Sequence, residues 1–158
     1  EAQWFVLKML AFNKRLRLLA EKINQGIEFD SDHLLEKHFY TGLLMEASGD
    51  TATARQNYEL IAYMNPFFEE AVIHSAEFIS LRDGFEAYKI LLSALEINPK
   101  SIKLLKAYIK QCARVELNTY AENSLEELKT LVSPEEYREV RNQYDLLVKE
   151  VVEEAENF

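Results

Sequence analysis

Apolar residues recur along this chain at intervals of three and four, the spacing of one helical face. Leu35, Phe39, Gly42 and Leu43 lie on one side of a predicted helix that stops at Ser48-Gly49-Asp50. Ala54, Tyr58, Ile61 and Ala62 mark a second, ending at Asn65-Pro66, where the ring blocks continuation. The alternation continues with Val72, Ala76 and Ile79, a turn at Asp83-Gly84, then Ala87, Leu91, Ala94 and Leu95 up to Asn98-Pro99. Leu105, Tyr108, Ile109 and Cys112 follow, then a turn near Glu116 to Asn118, then Ala121, Leu125 and Leu128. Ser133-Pro134-Glu135-Glu136 is a capping box with proline at the first helical position. It opens a last helix carrying Tyr137, Val140, Tyr144, Leu147 and Val151.

The segments repeat. Pro66, Pro99 and Pro134 are spaced by 33 and 35, and Ala54, Ala87 and Ala121 by 33 and 34. Bulky positions keep step at Tyr58, Leu91 and Leu125, and at Ile61, Ala94 and Leu128. Several columns in one period, each period two helices long, are the mark of a helical repeat. The stretch from Leu35 to Phe68, with Gly42 at a close helix approach, the Gly49-Asp50 turn, Ala54, Tyr58 and Pro66, resembles the tetratricopeptide repeat. The resemblance implies an all-α fold: a right-handed α–α superhelix of three to four hairpins with a C-terminal capping helix. Repeats are expected at 35–68, 69–101 and 102–133, and the cap at 134–156. The later units depart from the pattern. Ala76 replaces the small glycine, the first half of the second unit is one residue short, and Ile109 fills the small site of the third.

The first 34 residues allow two readings. Trp4, Leu7, Ala20 and Ile27 stand 34 positions before His38, Thr41, Ala54 and Ile61, which favours a degenerate repeat over 1–34. Yet Lys8 stands where Gly42 would be, Arg15-Leu16 replace the Gly49-Asp50 turn, and only Asn13 offers turn chemistry, as in one long helix. Residues 25–32 read as a loop, with Asp30 or Asp32 available to cap the next helix.

Composition narrows the function classes. Only four glycines and three prolines fit long helices with tight connections. A net charge of −9 argues against nucleic-acid binding, which needs clustered cations. Cys112 is the single cysteine, so no disulfide forms within the chain. The most apolar stretch, over 4–12, is interrupted by Lys8 and falls short of the roughly 18 residues of a membrane span. A chain that opens on Glu1 is expected to be a fragment or a processed form.

No catalytic constellation is legible. His33 and His38 are five apart and do not stack as metal ligands on a helix face, and His74 is isolated. Cys112 shares an apolar face with Leu105, Tyr108 and Ile109 and reads as a structural thiol. Neither a nucleophile elbow nor a phosphate-binding loop is present. No metal, cofactor or enzyme activity is expected.

The more informative feature is basic. Between Lys100 and Val115 there are five bases and no acid, and Lys103, Lys106, Lys110 and Arg114 fall on one side of a helix. In the resembled family the first helix of each pair lines a concave groove. The resemblance places Phe5, Met9, Phe12, Phe39, Leu43, Glu70, Ile73 and Glu77 at corresponding positions. The expected partner site is therefore Lys103, Lys106, Lys110 and Arg114 with Phe39, Leu43, Ile73 and Glu77, suited to an acidic peptide or a protein segment with apolar anchors. The competing reading is a solvated face balanced by neighbouring acids. Phe39 and Leu43 stand where chaperone-binding members carry their Lys and Asn clamp, so chaperone-tail binding is not supported.

The stretch from Glu1 to Lys22 has five bases and two acids among Trp4, Phe5, Leu7, Leu10 and Phe12. Core packing is the favoured reading, with a membrane-surface helix as the other. The expected function is a non-catalytic protein-interaction scaffold. The alternatives are an assembly domain that forms a homo-oligomer through its N-terminal apolar face, or a regulatory appendage of a larger protein.

Overall fold

The computed structural model describes residues 2–64 and 69–157, with side chains for all of these but 62–64. Asn65, Pro66 and Phe68, which enter the first repeat, therefore lie outside the described residues, as does the side chain of Ala62. Among the described residues every regular element is helical. Two compact units divide the chain, Glu1–Met64 and Asn65–Phe158.

The first unit holds α1 (Ala2–Phe12), α2 (Leu16–Asn24), a short 3₁₀ turn (Ser31–His33), α3 (Leu34–Ser48) and α4 (Thr51–Met64). Each helix packs on the next. The segment 2–24 is thus two helices and not one long one. The break lies at Lys14, whose φ of +55° is left-handed, and the Asn13 side chain donates to the Met9 carbonyl at 2.8 Å. Phe39 sits between the rings of Phe12, Tyr40 and Tyr58, with centroids 5.6, 6.1 and 6.3 Å away. Trp4 stacks on His33 at 3.8 Å and touches Phe29 at 5.2 Å, so the 25–32 loop is held by aromatic contact. Of the two candidate caps, Asp30 accepts from the Asp32 and His33 amides at 3.1 Å each and so caps the 3₁₀ turn, whereas α3 itself begins at His33 with no side-chain cap.

The second unit holds α5 (Glu69–Ser80), α6 (Gly84–Ile97), α7 (Ile102–Arg114), α8 (Asn118–Leu131) and α9 (Pro134–Glu156). Successive helices pack pairwise, and α7 also lies against α5 on one side and α9 on the other. Asp83, Ser101 and Ser133 cap α6, α7 and α9 by accepting from Glu86, Leu104 and Glu136 amides. Each such cap contributes about 1 kcal/mol. Pro99 lies beyond the end of α6, whereas Pro134 opens α9, so these two prolines do different jobs.

Three turns close in the same way. Arg15, Asp50 and Leu117 donate their amides back to Leu10, Met45 and Cys112 at 2.8–2.9 Å, around left-handed residues Lys14, Gly49 and Glu116. Only one of the three is glycine; the Glu116 turn falls where the sequence predicts one, whereas the Lys14 turn has only Asn13 as a signal. The fourth residue of the helix that follows is buried each time: Leu19, Ala54 and Ala121, as is Ala87 after the Asp83 cap. In α2 it is thus Leu19, and not the neighbouring Ala20, that is fully buried.

Candidate functional site

The site is built on α7. Leu104, Leu105, Tyr108, Ile109, Gln111, Cys112 and Ala113 are buried. Ser101 caps the helix and sets its start. Buried Gln111 is satisfied by donating to the Gly84 carbonyl at 2.8 Å and accepting from Ser80 at 3.0 Å, which ties α7 to α5 and α6. On the other side Tyr144 of α9 donates to Asn118 of α8 at 3.1 Å, and Arg141 reaches Glu122 at 2.5 Å. The glutamate contact holds the Arg141 guanidinium well above its ordinary pKa.

Along the exposed side of α7, flanked by α5 and α9, runs an open groove of about 620 Å³. Its apolar lining includes Ile73, Ala107, Ile109, Val140, Leu146 and Leu147, and charged residues Glu77, Lys103, Lys106, Lys110 and Glu150 stand around them. That volume is in the range of small-ligand pockets, and the site is an open trough and not an enclosed cavity.

Five of the eight residues expected at a partner site, Lys103, Lys106, Lys110, Ile73 and Glu77, line this groove. Arg114 lies past it, donating to Gln111 at 3.5 Å. Phe39 and Leu43 are corrected. Both belong to the first unit, where Phe39 is 1% exposed within its ring cluster and Leu43 is buried, so neither offers a surface to a partner. A large apolar side chain on the first helix of a pair was drawn into the core instead of facing outward.

The basic stripe is not a bare cationic patch. Lys103 pairs with Glu70, Lys106 with Glu136 at 2.5 Å, and Lys110 with Glu77 at 3.1 Å. The bond to Glu70 raises the Lys103 pKa above its ordinary value. Half-exposed pairs of this kind contribute about 0–1 kcal/mol each, so they are weak tethers between α7 and its neighbours. Burying one leucine-sized side chain contributes roughly 1.5–3 kcal/mol.

Sequence periodicity marks α9 as a cap and does not reveal its contribution to the groove. Gln143, Leu146, Leu147 and Glu150 line the groove beside Val140 and Tyr144. One signal was available: Leu146 falls off the stripe of Tyr137, Val140, Tyr144, Leu147 and Val151, yet is apolar and 61% exposed.

Among the described residues no group of three or more His, Cys, Asp or Glu is placed to hold a metal ion, and no helix is long and apolar enough to cross a membrane. Burial pushes the Cys112 thiol up to about 11. Comparison with protein-family models, with curated proteins and with solved structures returns no match for this chain.

Proposed function

We propose that this chain is a non-catalytic interaction module of the tetratricopeptide type, and that the α5–α7–α9 groove receives a helical or extended segment of a partner protein. The groove itself carries the reading: an apolar floor long enough for several side chains, with both signs of charge around it. The repeat assignment draws support from two ion pairs. Lys103–Glu70 and Lys110–Glu77 each join residues 33 positions apart, the spacing of Ala76 and Ile109 at the small-residue sites of the same two units. Equivalent positions on first helices of neighbouring pairs therefore face each other. Because the lysines are already paired, the favoured ligand is an amphipathic segment with apolar anchors and mixed charge, in place of a uniformly acidic one.

The test is selection of peptides from a randomised display library on the intact chain, followed by affinity measurements on variants. Ala107→Arg fills the groove and Leu146→Asp spoils its floor. Selected peptides should carry apolar residues at helical or alternating spacing and lose at least tenfold in affinity on both variants, with helicity unchanged. Lys106→Glu with Lys110→Glu should alter which charged peptides bind and how salt affects them. Peptides indifferent to both groove substitutions would remove the proposal.

A further inference from the structure

The lysines of the groove are partnered, but one of its carboxylates is not. Lys103 pairs with Glu70, Lys106 with Glu136 and Lys110 with Glu77. Glu150 of α9 also lines the groove, and among the described residues it has neither an ion pair nor a hydrogen bond. Gln143 lines it too, seven residues earlier on the same face of α9. Its amide donates to Glu139 at 3.4 Å, and its carbonyl oxygen accepts from no described residue. Leu146 and Leu147 stand between the two, so this wall runs acceptor, apolar, acceptor.

The free carboxylate lies toward one end. Glu136 of α9 meets Lys106 in the middle of α7, and Tyr144 meets Asn118, just past the end of α7. The two helices therefore run the same way, and Glu150, further along α9, stands at the end of the groove away from Lys103. Arg114, the base in the last turn of α7, donates to Gln111 and does not line the groove. The wider field has the same sign as Glu150. From 65 to 158 there are 18 acids against 11 bases, so this unit carries −7 of the chain's −9.

We propose that the segment received by the groove is basic at one end: its apolar anchors meet the floor, and its Lys or Arg side chains lie at the end away from Lys103, donating to Glu150 and Gln143. This rests on the groove reading and adds the sign and the direction of the ligand. Charge decides the occupant. An acidic segment finds no unpaired lysine and faces the bare Glu150 carboxylate, in a unit of net negative charge. A basic end gives that carboxylate a partner and is drawn in by the unit's field. A second copy of this chain, itself at −9, is disfavoured on the same ground.

Selection of display peptides on the intact chain reads both sign and direction. Recovered peptides should be enriched in Lys and Arg over Asp and Glu, with the bases gathered at one end of the apolar pattern. For a synthetic peptide of the recovered sequence, Glu150→Gln should weaken binding about two- to fivefold, the range of an exposed ion pair. Glu150→Lys should weaken it about tenfold, and added salt should weaken binding to wild type. Glu127→Lys on α8 changes the net charge as much as Glu150→Lys does, at an exposed position outside the groove lining, and should cost less than about twofold. Circular dichroism checks the fold; if Glu150→Lys loses helicity, Glu150→Gln decides. Peptides that fail on Ala107→Arg yet are acidic, are basic without a preferred end, or ignore the Glu150 variants overturn this inference and leave the groove reading standing. Equal losses on Glu127→Lys and Glu150→Lys also overturn it, by assigning the effect to the unit's overall field. Peptides that ignore Ala107→Arg, or a library without binders, remove both. Self-association in sedimentation velocity that Ala107→Arg abolishes would give the groove to a second copy and overturn the inference.

Discussion

Gly42 of α3 lies directly against the Tyr58 ring of α4: a Cβ added at Gly42 would come within 2.8 Å of Tyr58 Cδ1. The ring has nowhere to go. It is fully buried and its hydroxyl donates to Glu46 at 2.6 Å, closing the same helix pair from the other end. Gly42→Ala should therefore destabilise the first unit by about 1–3 kcal/mol, the usual cost of overpacking, although alanine is the better helix former. Urea unfolding of wild type and variant measures it. Equal midpoints would mean that α3 and α4 separate without loss.

Glu116 turns the chain from α7 to α8 with φ of +60°, a conformation costly for an L side chain. Glu116→Gly should stabilise the second unit by about 1 kcal/mol. Thermal unfolding should show a rise of a few degrees for a chain of this size, roughly 2–4 °C. A fall would show that the glutamate side chain holds something the turn needs.

Cys112 is inaccessible, and its thiol is raised to about 11 by burial, with the Tyr108 bond opposing the rise weakly. At pH 8 roughly one thiol in a thousand is ionised, and that one is shielded. Labelling by an aromatic disulfide should be slow in native protein and fast in denaturant. Rapid native labelling would show that α7 opens readily.

Asp50 accepts from the Thr53 amide at 3.1 Å at the start of α4, and the interaction with Thr53 depresses its pKa below the ordinary carboxylate value. A depressed folded-state value means that the stabilisation is complete above the unfolded pKa, about 4. It is lost as pH falls through the lower folded value. Asp50→Asn keeps a capping oxygen but removes the titration. Its stability should depend less on pH between about 4 and 2. Parallel acid titrations, followed by helicity, compare the two. Superimposable curves would assign the acid loss to other carboxylates such as Asp30, which His33 depresses in the same way.

The local rules and the long-range ones were unequally readable. The helical segments, the Asp83 turn and the Ser133 cap follow from side-chain periodicity and from polar groups that satisfy their own neighbours' amides. These interactions span at most four residues. The break at Lys14 was nearly invisible, because the left-handed residue is lysine and the turn is enforced by packing of α1 on α2. The same limit hides that Leu19 and not Ala20 is the fully buried residue of α2, since a one-residue change in turn length rotates every later position by about 100°.

By itself the sequence determined an all-helical chain with a period near 34 and a run of cations along α7, since both the spacing of apolar residues and the order of charges are one-dimensional properties. Only the tertiary structure decided that Phe39 and Leu43 go inward, that Lys103, Lys106 and Lys110 meet Glu70, Glu136 and Glu77, and that α9 supplies part of the groove. The physical reason is that burial and pairing belong to surfaces. Whether a phenylalanine is core or contact, and whether a lysine is compensated, depends on which helix lies beside it, and residues about 30 positions away supplied that neighbour.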